Sequence, residues 1–239
     1  MTTCCLAGID VALKTRYPLL DRLMADYPSA SATPALTLEV SDAEILAEDA
    51  GKNQGSSPAL LEALALFRKF CLALPAYGGF FFHAACLAVD GRGIAITAPS
   101  GVGKSTHAAL WRELLGERCR IINGDKPLVR RADGGGFLAY GSPFAGKEGW
   151  HENTSVPLSA ILFLERSERD AIVPLSPSEA FPLLFASTLP PKDEKTLALL
   201  LPLLSELLSG VSLYKLSCTK NPSAAALAYH TLYRKESQE

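Results

Sequence analysis

The apolar positions come in short runs separated by polar breaks marked with glycine and proline. In the first fifty residues, apolar alternation at Cys4–Val11 and Ala35–Val40 fits strands. The Pro/Ser/Ala stretch Tyr27–Pro34 between them reads as loop. Gly51–Pro58 is a polar, Gly/Ser-rich break, and it divides the chain into a small N-terminal α+β part, 1–55, and a main domain, 56–239. Ser57 is a candidate helix cap with Pro58 as first helical residue. Leu60, Leu61, Leu64, Phe67, Phe70, Cys71 and Leu74 then recur at helical spacing, and Pro75 and Gly78-Gly79 end the helix.

Phe80–Val89 is a strand-like apolar run, Asp90-Gly91 is the signal of a tight two-residue hairpin turn, and Gly93–Ala98 is a second strand. Lys104–Leu115 reads as a helix stopped by Gly116, and Arg120–Asn123 as a short buried strand. Leu128–Arg131 and Gly136–Tyr140 form a hairpin around Asp133–Gly136, and Ala160–Glu165 is another strand. Ser178–Ser187, Asp193–Ser209 and Pro222–Tyr233 read as helices and Val211–Leu216 as a strand. The most apolar stretch, Leu197–Leu208, contains Pro202, which predicts a buried helix pair or a broken helix. Hairpins mixed with helices predict an α/β domain on a mixed, partly antiparallel sheet.

Composition narrows the function. The chain has 239 residues, about half of them apolar, and a net charge of −2, so nothing in its charge supports a nucleic-acid partner. Leu197–Leu208 is shorter than the roughly 20 residues a membrane helix needs, and the N-terminus lacks the basic-then-apolar order of a secretory signal. A cytoplasmic protein with no membrane partner is expected. The six cysteines form no Cys-x-x-Cys pair and read as buried, reduced thiols.

The strongest chemical signal is Ala98-Pro-Ser-Gly-Val-Gly-Lys-Ser105, which has Walker A spacing with Ala98 where glycine is more usual. Gly101 and Gly103 allow backbone conformations closed to other residues, so that successive N–H groups from Ser100 to Thr106 point at one anion. The following helix presents its positive end to the same place. Lys104 is a mobile charge for outer phosphates, and the Ser105 hydroxyl can ligate magnesium. The cofactors expected are ATP and Mg2+, with Ser100, Gly101, Val102, Gly103, Lys104, Ser105 and Thr106 as binding residues. The strand feeding this loop is the second arm of an antiparallel hairpin, which argues against an ordinary parallel-sheet P-loop enzyme.

A second metal ligand or base is needed, and Asp125, just after the strand Arg120–Asn123, is the candidate. Asn-Gly-Asp-Lys-Pro is equally good turn chemistry. Lys126 adds charge near the phosphates or is simply solvated.

The run FHAACLAVDGRGIAITAPSGVGKST resembles HPr serine kinase/phosphorylase, within the wider phosphoenolpyruvate-carboxykinase-like fold. The matching features are the hairpin before the loop, His83 twenty-one residues ahead of Lys104, and Asp125 after the next strand. The segment GKSTHAALW…INGDKPLVR…GSPFAGKEGW…VPLSAILFLER is more similar still to bacterial proteins of HPr-kinase-like type. The likeness spans roughly 80–190. It implies a Mg-dependent, ATP-dependent kinase acting on a hydroxyl-bearing acceptor (protein, peptide or metabolite), with Lys104, Asp125 and His83 catalytic, Ser105 and Asp125 on the metal, and self-association. HPr kinases carry two adjacent Asp after that strand. Here the pair is Gly124-Asp125, which keeps a nucleotide-binding accessory protein with little or no transfer as the alternative.

The polar loop Gly141–Thr154 holds Lys147, Glu148, Trp150, His151, Glu152 and Asn153. It can close over a nucleotide with Lys147 on phosphate, or be an exposed connection. His107, three residues after Lys104, faces the pocket or packs. Trp111 reads as core or pocket wall, and Glu165-Arg166 as an ion pair at a strand end.

Overall fold

A computed structural model of the chain describes residues 1–50 and 53–233. Gly51 and Lys52, at the start of the break expected at Gly51–Pro58, lie outside the described residues. The chain forms two compact units divided between Leu74 and Pro75.

In the first unit, strands β1 (Thr2–Leu6) and β2 (Ile9–Leu13) form a hairpin, and β3 (Leu36–Leu38) pairs parallel with β2. The single alternation read at Cys4–Val11 is thus two strands. Ala7 and Gly8 turn between them with φ of 52° and 72°, the conformation a two-residue hairpin demands. Two helices not foreseen from the sequence follow: α1 (Leu19–Leu23) and α2 (Asp42–Glu48), the latter started by a reciprocal Ser41–Glu44 capping box. Helix α3 (Pro58–Ala73) begins as expected, with the Ser57 hydroxyl accepting from Leu60 N and Pro58 in its first turn. It packs against α1, α2 and β3, so the division between units falls one helix later than the sequence break. Its buried Glu62 accepts hydrogen bonds from the backbone N–H groups of Arg16 (3.0 Å) and Tyr17 (3.1 Å).

The second unit is a sheet covered by helices on both faces. The predicted strand Phe80–Val89 is two strands, β4 (Gly79–Phe81) and β5 (Ala84–Val89). They separate because they serve different partners: between them Phe82 N donates to Pro127 O and His83 N to Ser187 O, which takes the chain out of one ladder and into another. Then come β6 (Arg92–Thr97), helix α4 (Lys104–Leu115), β7 (Cys119–Asn123), β8 (Leu128–Arg131), β9 (Phe137–Tyr140) and the twelve-residue β10 (Ser155–Arg166). The chain ends with β11 (Ala171–Pro174), α5 (Pro177–Ala186), α6 (Glu194–Gly210), β12 (Ser212–Cys218) and α7 (Pro222–Tyr233). The largely exposed edge strand β11 carries no apolar alternation, so the sequence does not announce it.

The first residues of β10 pair antiparallel with β9, and the rest pair parallel with β6 and β12. Its apolar run is continuous because both faces are covered. Ile161 and Phe163 enter the core under α5 and α6, while Ala160, Leu162 and Leu164 enter the core under α4 and α7. Helix α6 runs unbroken through Pro202, contrary to the expected break. A proline removes one backbone bond, and the buried row Leu200, Leu203, Leu204, Leu207 and Leu208 holds the helix against the sheet. Among the described residues no helix is long and apolar enough to cross a membrane.

Close backbone approach fixes the sheet's far corner. A Cβ on Gly141 would sit 1.9 Å from Glu152 O and 2.8 Å from Ile122 O, whereas one on Gly134 would meet nothing within 4 Å. Gly141→Ala is expected to cost about 3 kcal/mol or more, lowering the thermal midpoint by roughly 6–12 °C. Gly134→Ala should stay within about 0.5 kcal/mol of the parent. Thermal unfolding of both variants checks this.

Candidate functional site

The site is built by the register of the β5–β6 hairpin. Asp90 and Gly91, with φ of 49° and 79°, make the turn, and pairing runs from Val89↔Arg92 to Ala84↔Thr97. The start of β5 and the end of β6 therefore share one edge of the sheet, with His83 just before the first and Ala98 just after the second. Strand β7 is antiparallel to β5, so it runs with β6 and brings Asn123, Gly124 and Asp125 to that edge. Strands β10 and β12 run with β6 as well. Across the edge the order is β7, β5, β6, β10, β12, which places Asp125, His83, the loop, Arg166 and Thr219 in sequence. C-terminal strand edges of this kind are where open α/β sheets bind ligands.

The loop leaves β6 at Ala98 and enters α4 at Lys104. Gly101 and Gly103 have φ of 82° and 127°, values that side chains resist. Gly103 caps α4 without any side-chain hydrogen bond, so the helix's first N–H groups are not met by a capping side chain. The Lys104 stem is buried, and its Nζ donates to Ala98 O at 3.0 Å. Ser105 and Val102 are half-buried, and Ser100, Gly101 and Thr106 are exposed. Arg166 donates from Nε to Val102 O at 3.1 Å and from Nη2 to Gly101 O. The ion pair expected within Glu165-Arg166 is absent: Glu165 pairs with Lys215 at 2.7 Å, because successive residues of a strand face opposite ways. Arg166 is thereby a loop-holding residue that its sequence neighbourhood did not disclose.

On the β7 side, Asp125 Oδ1 lies 3.3 Å from His83 Nε2 and Oδ2 lies 2.9 Å from Lys126 Nζ. Burial pulls the Asp125 carboxyl upward, but hydrogen bonds with His83 and Lys126 outweigh it and hold it well below the usual carboxylate range. A carboxylate so held stays ionised, which suits a hard cation and makes it a weak base. The turn is organised by buried Asn123, whose Oδ1 accepts from Asp125 N (2.9 Å) and Lys126 N (2.6 Å) while Nδ2 donates to Ser142 O (2.9 Å). The Asn-Gly-Asp turn chemistry was its only signal.

The loop Gly141–Thr154 is tied down by Gly124 N→Trp150 O and Glu152 N→Ile122 O, and Arg112 stacks 4.7 Å over Trp150. Gly146 packs on Asp125: a Cβ there would lie 3.0 Å from the Asp125 Cβ. Lys147 and Glu148 are exposed just beyond that contact, Glu152 pairs with Arg120, and His151 bridges to Asn123. Trp111 is core. Its indole donates to His107 Nε2 at 3.1 Å, and burial pushes His107 down to about 4. On the β10–β12 flank a cavity of about 480 Å³ is lined by Gly101, Gly103, Thr106, His107, Arg166 and Thr219, among others. Among the described residues, no cluster of three or more His, Cys, Asp or Glu side chains could hold a metal. A cation bound here would have to draw ligands from elsewhere as well; Asp125 and Ser105 offer the hard oxygen donors that magnesium takes together with phosphates and water.

No curated protein matches the chain. A solved structure of the Hpr(Ser) kinase/phosphatase from Coxiella burnetii is similar over 65% of this chain and 98% of its own, at 15% identity and a TM-score of 0.37, a level that carries no argument about activity. Residues 57–189 match the family described as SynChlorMet cassette protein ScmC. That stretch runs from the cap of α3 to just past α5, and since it spans more than half of the sequence, the chain belongs to the ScmC family.

Proposed function

We propose that this protein binds Mg–ATP at the Ser100–Thr106 loop and transfers the terminal phosphoryl group to a hydroxyl of a protein, peptide or metabolite. One observation carries the reading: the Asp125–His83 pair, 3.3 Å apart, stands on the same sheet edge as the glycine-rich loop with its buried Lys104. Transfer breaks the bond between the terminal phosphorus and its bridging oxygen and forms one to the acceptor oxygen. The acceptor's proton leaves to His83, whose ring Asp125 orients. In such reactions most of the catalysis is positioning and charge neutralisation. Here backbone N–H groups, the start of α4 and Lys104 would hold the phosphates; Arg166 keeps the loop in shape, and Lys126 and Lys147 lie on the Asp125 side. When bound, magnesium would neutralise the developing charge, with Ser105 and Asp125 as its protein ligands.

A second reading, a nucleotide-binding accessory protein with little transfer, is favoured by Gly124. An added Cβ there would lie 3.2 Å from Ala145 O, so the second carboxylate of HPr kinases would fit only if the neighbouring loop gave way by a few tenths of an ångström.

Lys104→Ala should weaken ATP binding at least about tenfold in calorimetric titration, and unchanged affinity would remove both readings. Asp125→Asn should reduce phosphoryl transfer from [γ-32P]ATP into protein and metabolite pools by roughly 10²–10⁴-fold and abolish the gain in ATP affinity on adding Mg2+. A parent protein that binds Mg–ATP but labels no pool would favour the accessory reading.

A further inference from the structure

Resting on the phosphate-loop reading, we propose that the cavity on the β10–β12 flank holds the nucleoside of the bound triphosphate, fixed by a hydrogen bond from His107 Nδ1–H. Strand order supplies the direction. Asp125 and His83 stand on the β7–β5 side of the loop, and the cavity stands on the β10–β12 side. A triphosphate with its terminal phosphate near Asp125 points its ribose end into the cavity. Gly101, Gly103 and Thr106 belong both to the loop and to the cavity wall, so the two compartments are continuous. The volume of about 480 Å³ lies within the range of small-molecule sites.

His107 supplies the chemistry. Only 2% of its surface is exposed. The Trp111 indole N–H can only donate, and it lies 3.1 Å from His107 Nε2. Nε2 must accept, so the ring is neutral and its hydrogen sits on Nδ1. That Nδ1 is buried and, among the described residues, has no hydrogen-bond partner. Buried donors are nearly always satisfied, because leaving one unmatched forfeits its hydration with nothing in return. His107 is also one of the residues that line the cavity. A ribose oxygen, or a ring nitrogen or carbonyl of the base, is the acceptor it lacks.

His107→Gln tests this. The Gln amide oxygen can still accept from Trp111, while the Nδ1–H is lost. The variant's ATP Kd should rise about five- to tenfold, while its Kd for inorganic tripolyphosphate stays within about twofold of the parent. Thermal unfolding establishes that it folds. In the unsubstituted protein, the 15N resonance of His107 Nδ1 should move on adding ATP and stay in place with tripolyphosphate. Equal losses for both ligands, or a Nδ1 resonance indifferent to ATP, would overturn the nucleoside placement and leave the loop reading intact. If neither ATP nor tripolyphosphate binds the parent protein, the loop reading fails and this inference falls with it.

Discussion

Strands β5 and β6 lie inside the sheet, where every backbone amide must find a partner because water cannot supply one. That requirement leaves one register, Ala84 opposite Thr97 and Val89 opposite Arg92. A slip by one residue would turn Leu87 and Ile96 out of the core under α4 and α7 and bring the opposite set in. The same register sets His83 beside the root of the glycine-rich loop, and the Thr97 hydroxyl reinforces it by donating to His83 O at 2.9 Å. The candidate site is thus a by-product of satisfying the interior of a hairpin.

At that edge the charged groups are arranged in opposition. Lys104 and Arg166 both donate to backbone carbonyls of the loop and its root, while Val102 N turns inward onto Pro99 O at 3.3 Å. On the same sheet edge, Asp125 is the acidic counterpart, kept ionised by His83 and Lys126.

Gly124 shows how one loop governs another. The segment around Ala145 and Trp150 lies so close that a side chain at Gly124 meets its backbone, and Gly146 in turn lies against Asp125. The tied-down Gly141–Thr154 loop thus crowds both Gly124 and Asp125.

Local patterns determined much by themselves. Asp90-Gly91 demanded a hairpin, since both residues must take positive φ. The spacing from Gly101 to Ser105 demanded a tight glycine-built turn before a helix, and Ser57-Pro58 and Gly116 marked helix ends, because each of these signals acts within a few residues. Tertiary structure decided what depends on contacts between distant segments. It parted Phe80–Val89 into two strands, carried α6 through Pro202 on its buried leucine row, and joined α3 to the first unit. It sent Arg166 to the loop rather than to Glu165, and left Nδ1 of His107, a cavity-lining residue, buried without a partner among the described residues. Sequence encodes propensity over a turn or two, whereas pairing partners, burial and the direction of a side chain are settled only when strands far apart in the chain share one sheet.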